Sequence, residues 1–582
     1  MNVPIPVNGQ SIEETFRRGT EELQRQALAA REEMLARALA SIEDNDEDPD
    51  AYITAARRAK QLGRLRETLA ILERGVSRCS PSLPLYEYYI ERLEKCNRTD
   101  EAIAVTRTAI RQFPDNVALA LWEATLLPML YDTPSQVEHY HERLACGLHR
   151  FCETLRLDTA EQWTGALEAI GKRVTLKYLP YQGRNDRELY QLYGGLVHRI
   201  MAANYPQWVR PVATPPAGGN IRVGYLAARL TNMSAVKLFG GWLREQNRQQ
   251  FEIVVYHAGR LTDMATRQLQ QLDLRFRQFS GRLEEIAEAV LEDRLHVLVF
   301  LDFGMHPIMA QLAALRLAPV QCVAWDTPVT SGLPTMDYFL SSTLMEPADA
   351  EDHYSEALAG LPGVGVCFVK PVIPSVLLTK KREDFGLRDD AVVYPSCQSL
   401  FKYLPDNDGV FAQIARHVPN SQFAFLVTNE VVGKDLQSRL NRAFAKVGLR
   451  ADDYCLWLPE MPTLDYWNLH LVADVFLDSM QWSGGVTTFE AIACGLPVVT
   501  LPGSLMRARH ACAILTQLGV TDTIATDEVE YVDLAVRLGR DRQWRQDIID
   551  RMVTGYPTLY SDARPVRALE EFFREAVSRT LA

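Results

Sequence analysis

SGGVTTFEAIACGLPVVTLPG, residues Ser483 to Gly503, reads as a glycine turn, a helix that opens with two hydroxyls, and then a buried strand. At a helix N-terminus the first four N–H groups have no intrahelical acceptor, and the aligned peptide dipoles place roughly half a positive charge there. A diphosphate can therefore be held without a metal. Gly484 and Gly485 let the backbone come close to such an anion, Thr487 and Thr488 can add hydroxyl donors, and Glu490, one turn into the helix, is placed to accept from ribose hydroxyls. The glycines alone would fit a strand–turn–helix in any α/β domain. The length and order of the whole string make it more specific than that.

The same alternation of strands and helices runs upstream. VVYPSC near 392, SQFAFLVTN near 421, YCLWLPE near 454, VADVFLDS near 472 and LPVVTLPG near 496 form one set. IRVGYLA near 221, FEIVVYHA near 251, HVLVFLDFG near 296 and VQCVAWDTP near 320 form another. Each set implies a parallel sheet with helices on both faces, and ligands in such domains sit beyond the carboxyl ends of the strands. Before them, residues 12 to 205 read as successive helices with apolar positions at i, i+3 and i+4. Gly63 and Asn97 mark equivalent turns 34 residues apart, and Ala70 and Ala104 repeat at the same interval, where they would let paired helices pack closely. That interval is the tetratricopeptide period, with a plain helical bundle as the simpler alternative. The run PVATPPAGGN, around residues 212 to 220, breaks the pattern. The fold class is α followed by α/β: a helical extension over 1–48, a tetratricopeptide-like domain over 49–211, and two Rossmann-like doubly wound domains over 220–385 and 386–582.

With 582 residues, 47% hydrophobic and 23% charged, the chain can bury several cores and has an ordinary globular composition. Its net charge of −12 argues against a general nucleic-acid binder but leaves room for a local basic pocket. Ten cysteines are scattered from Cys79 to Cys512 with no CxxC pair, so neither disulfides nor a structural metal are expected. No secretory leader and no apolar run of about 18 residues is found. A cytoplasmic protein without a membrane span is expected, and the sequons at Asn97 and Asn232 are read as chance. The acidic pairs Asp389-Asp390 and Asp452-Asp453 fall in loops and read as helix caps rather than metal ligands.

Lys402, in SCQSLFKYLP, is the obvious cation beyond the strand near 392. An ammonium beside a diphosphate would neutralise charge developing on a nucleotide leaving group, although an exposed helix lysine is the plainer reading. Gln398 and Ser399 can hydrogen-bond a base or phosphate, or else cap the next helix. Arg509 and His510, after a Pro-Gly turn, can reach the same anion or lie in a surface salt bridge.

The ordered set VQCVAWDTPVTSGLPTMDYFLSS, SCQSLFKYLP and DSMQWSGGVTTFEAIACGLPVVTLPG resembles the SPINDLY-like, O-linked N-acetylglucosamine transferase family of glycosyltransferases, which has the GT-B architecture. The resemblance spans about residues 120 to 575, and LPMLYDTPSQVEHYHERL and ELYQLYGGLVHRIMAANYPQW are similar to bacterial members. It implies that Lys402 meets the donor diphosphate, that Thr487 and Thr488 open the helix receiving it, that Gln398 or Ser399 stands at the family glutamine, and that Glu490 is the acidic ribose contact. Asp478 would shape the preceding turn.

Three segments depart from the family pattern. Met233 stands where a histidine commonly faces the acceptor, Asp326 and Thr327 replace glycine and histidine, and Val486 replaces a polar residue. A thioether cannot act as a base, so Asp326 and His306 are the candidates to accept a hydroxyl proton, with a capping Asp and a solvated His as the plainer readings. The resemblance implies an inverting, metal-independent enzyme that moves N-acetylglucosamine from UDP onto protein Ser or Thr, with acceptors docked by the helical repeats. The nucleotide sugar is a co-substrate and no other cofactor is called for. UDP-glucose transfer to asparagine, GDP-fucose transfer to hydroxyls, a repeat-bearing binding module whose transferase half has decayed, and homo-oligomer formation all stay open at this stage.

Overall fold

A computed structural model describes residues 12–216, 219–374 and 378–581. The first eleven residues of the expected extension, and two residues of the 212–220 linker, lie outside the described ones. The chain forms two compact units, one through Leu126 and one from Leu127 onward. The helical region expected as one domain over 49–211 therefore divides near residue 126.

The first unit is built from helix pairs, Pro49–Gln61 with Leu65–Arg78 and Leu83–Lys95 with Thr99–Gln112, followed by Val117–Thr125. Each helix of the second pair starts 34 residues after its counterpart, and the turns between them hold Gly63 at φ +74° and Asn97 at φ +59°. The expected packing role of Ala70 and Ala104 is not met, because both are exposed. The close approach instead falls to Gly75 and its repeat mate Ala109, both buried: a Cβ on Gly75 would lie 2.8 Å from Tyr52 Cγ.

In the second unit, β1 (Ile221–Ala227), β2 (Phe251–His257), β3 (Arg275–Gln278), β4 (Val297–Phe300), β5 (Val320–Ala324), β6 (Tyr338–Ser342) and β7 (Ala357–Leu361) form one parallel sheet, ordered 3-2-1-4-5-6-7. The five central strands are largely buried, as a sheet covered on both faces requires, while the edge strands β3 and β7 carry exposed residues. The second lobe has β8 (Val392–Pro395), β9 (Ser421–Val427) and β10 (Cys455–Pro459) ordered 10-9-8, and β11 (Phe476–Leu477) paired with β12 (Val498–Val499). Asp474 N and Val475 N donate to Val393 O at 2.9 and 3.2 Å, which sets β11 beside β8.

Two further segments brace the lobes. The final helix, Arg564–Leu581, returns to the first lobe, with Phe572 5.0 Å from the Tyr338 ring and Phe573 6.4 Å from the Phe251 ring. Helix Arg187–Asn204 meets the loop after β5 backbone to backbone. A Cβ on Gly194 would lie 2.3 Å from Gly332 O, and Gly332 sits at φ +68°. Arg439, 3% exposed, binds both carboxylate oxygens of Asp408 at 2.6 and 2.8 Å and donates to Tyr131 O and Tyr403 O. Asp408→Ala strands that guanidinium without its counter-ion and is expected to cost roughly 3–5 kcal/mol, read by chemical denaturation.

Candidate functional site

The site grows from the end of β11. The Asp478 carboxylate accepts from Ser483 Oγ at 2.6 Å, Gly484 N at 2.7 Å and Thr500 Oγ1 at 2.8 Å, so it folds the turn before helix Val486–Ala493. Burial pushes its pKa up, opposed by those three donors and by Lys402. The Gly484 amide is thus used internally. The amides of Gly485, Val486 and Thr487 have no acceptor among the described residues, as a first helical turn dictates.

Beside these amides Lys402 Nζ donates to Gln398 Oε1 at 2.8 Å, and Gln398 Nε2 donates to Thr487 Oγ1 at 2.9 Å. Lys402, Gln398 and Thr487 are therefore brought together, and Gln398 rather than Ser399 occupies the bridging position. Ser399 is exposed, and its carbonyl accepts from Lys402 N at 3.0 Å. The two threonines diverge. Thr487 Oγ1 accepts from Gln398 and keeps its own proton for a ligand, whereas Thr488, fully buried, spends its hydroxyl on Gly484 O at 2.7 Å. Burial pushes the Lys402 ammonium down to about 8, with Asp478 pulling it back up. A Cβ on Gly484 would stand 2.4 Å from Thr487 Oγ1 and 2.7 Å from Gln398 Nε2. A side chain at position 484 would force that pair apart.

The other predicted residues have different partners. Glu490 is buried and accepts from Lys237 Nζ at 2.8 Å, an ion pair between the lobes. Arg509 donates to Gly503 O at 3.0 Å. His510 is packed in the cluster itself, with Nδ1 3.2 Å from Ser483 O. Met233 is 46% exposed and sits just before helix Ser234–Glu245, and Val486 is the first residue of its helix.

Asp326 and His306 line one cavity with Tyr181, Phe401, Trp482 and Met305. Burial raises the Asp326 carboxyl to about 7, with Asp302 adding to the shift and a Ser234 hydrogen bond opposing it. His306 caps helix Pro307–Ala313: its Nδ1 accepts from Ile308 N at 3.3 Å, so the neutral ring carries its proton on Nε2 and has no lone pair left to take another. Of the two candidate bases, Asp326 has the free lone pairs and the tuned acidity. The aromatic wall escaped the sequence reading. Tyr181 stacks on Trp482 at 4.0 Å and meets Phe401 at 4.5 Å, and these last two adjoin Ser483 and Lys402 in sequence, which ties the cavity to the Lys402–Gln398–Thr487 cluster. No cluster of metal-ligating side chains, and no helix long and apolar enough to cross a membrane, occurs among the described residues.

The profile of glycosyl transferase family 41 matches residues 194–369 and 367–557. A probable UDP-N-acetylglucosamine–peptide N-acetylglucosaminyltransferase SPINDLY of Arabidopsis thaliana is 28% identical over 331 residues, 55% of this chain and 35% of that protein. The protein of the same name from Oryza sativa subsp. japonica is 26% identical over 370 residues, covering 61% and 38%. The chain thus spans 35–38% of the length of these curated relatives. An O-GlcNAc transferase mutant from Thermobaculum terrenum superposes with a TM-score of 0.66 at 22% identity, over 91% of this chain and 98% of that one, which shows a common fold.

Proposed function

The chain belongs to glycosyl transferase family 41, and from that premise we propose that it transfers N-acetylglucosamine from UDP to a Ser or Thr hydroxyl of a polypeptide, with inversion at the anomeric carbon. The observation that carries the reading is the linked set Lys402–Gln398–Thr487 beside the open amides of helix 486–493. Asp326 takes the acceptor's hydroxyl proton, the oxygen attacks the anomeric carbon, and the bond from that carbon to the diphosphate breaks with its electron pair on UDP. Lys402 and the amides stabilise the departing charge. Since they supply the positive charge, no divalent ion is called for, and EDTA is expected to leave the rate unchanged. The helices of the first unit dock the acceptor, and the free thiols agree with a reaction in the cytoplasm.

The test is incubation of the purified chain and host proteins with UDP-N-acetylglucosamine, UDP-glucose and GDP-fucose in turn, followed by mass spectrometry. Added N-acetylhexosamine mass on Ser or Thr from the first donor alone is the expected result. Hexose on asparagine or fucose on hydroxyls would replace the donor assignment, and no added mass from any donor would overturn the transferase reading.

A further inference from the structure

Two ring nitrogens at the seam between the lobes are not used by the chemistry above. His510, 3% exposed, opens helix His510–Leu518 of the second lobe, and its ring centroid lies 5.3 Å from that of Trp325, 1% exposed, at the end of β5 in the first. His510 Nδ1 stands 3.2 Å from Ser483 O, and a carbonyl can only accept, so Nδ1 bears the proton and Nε2 is a bare acceptor. Burial, reinforced by Lys402, keeps this imidazole neutral down to about pH 3. Nε2 is buried with no hydrogen-bond partner among the described residues, and so is Trp325 Nε1, which can only donate. Leaving both unpaired is costly, so one orphan donor and one orphan acceptor on adjacent rings call for a group that satisfies both.

A hydroxyl can accept from the indole and donate to the imidazole, whereas a phosphoryl or carbonyl oxygen only accepts and an amide N–H only donates. The place fits as well. Ser483, which orients His510, directly precedes the glycine turn, and Trp325 directly precedes Asp326. The pair is thus next in sequence to both the glycine turn and Asp326, the two ends between which the sugar of a nucleotide sugar would lie. We propose that Trp325 and His510 form a subsite for one hydroxyl of the transferred sugar, which accepts from Trp325 Nε1–H and donates to His510 Nε2. The proposal rests on the nucleotide-sugar reading above and adds what selects the sugar. Because the rings come from different lobes, the subsite is complete only when the lobes face each other.

Calorimetric titration of the full chain with UDP, UDP-N-acetylglucosamine, UDP-glucose and their analogues lacking the 3-, 4- or 6-hydroxyl tests this. Trp325→Phe and His510→Leu are expected to bind UDP within about twofold of the wild type and the sugar nucleotide about three- to tenfold more weakly. One deoxy analogue should bind wild type and variants alike, because the hydroxyl they contact is missing. Equal loss for UDP and its sugar conjugates, no loss for either, or no analogue that erases the difference would overturn the subsite and leave the pair holding water alone. If the wild type fails to bind UDP at all, the transferase reading falls first and takes the subsite with it. Should His510→Leu fail to fold, Trp325→Phe, which keeps the ring bulk, carries the comparison.

Discussion

Lys402→Ala is expected to lower the transfer rate by about 10²–10³-fold, the usual loss when one pre-oriented group facing developing charge is removed. The chain should stay folded, because the lysine lies at the mouth of the turn 400–402 and its departure leaves the β8–β11 packing untouched. Its pH dependence has a definite sign. Burial lowers the ammonium to about 8, so in the free enzyme the charge that greets the diphosphate is lost as pH rises through that value. For stability the same shift works the other way. Between about 8 and the unfolded value of 10.5 the unfolded chain binds more protons, so folding becomes more favourable as pH rises through that window, and below it the half-buried charge is a standing cost. Lys402→Ala is therefore expected to show that loss of rate at pH 7 without a lower melting temperature. A melting temperature that falls with the rate would mean that the lysine is a structural strut.

Asp326→Asn carries the second large effect. A general base contributes about 10²–10⁴-fold, and an amide of the same shape cannot take the proton. The Asp326 carboxyl titrates near 7, so below that value it is protonated and idle, and kcat/KM for the wild type should rise through about pH 7 and fall through about pH 8 as Lys402 discharges. The variant should lose the acid limb and keep the alkaline one. It should also bind UDP as the wild type does, which separates it from Lys402→Ala. An acid limb that survives in Asp326→Asn would assign the proton transfer to another group.

Much of this was legible in the chain. Nine strands announced themselves as short apolar runs ending in turn residues, and the Gly484 turn stood out because its order of glycines, hydroxyls and buried strand is specific. What stayed hidden has physical reasons. β3 is the charged run RFRQ, and β7 is the small-residue run ALAGL, so neither shows the apolar signal of a buried strand. Ala70 and Ala104 misled because every position of a repeat recurs at the same interval, so period fixes the turn while only helical phase tells the buried face. Lys402 read more naturally as a surface residue, since only the short turn after Gln398 folds its amine onto that side chain. Glu490 looked like a ligand residue because its partner, Lys237, is 253 positions away and no local pattern reports such a pair. The partition of roles between Thr487 and Thr488 depends on which hydroxyl turns back into the helix, and that is a property of the fold alone.

A crystal structure of the chain with UDP tests the central claim most directly. The β-phosphate is expected within hydrogen-bond distance of Lys402 Nζ and of the amides of Gly485, Val486 and Thr487. A diphosphate bound away from that helix opening, or no bound nucleotide at saturating UDP, would contradict it.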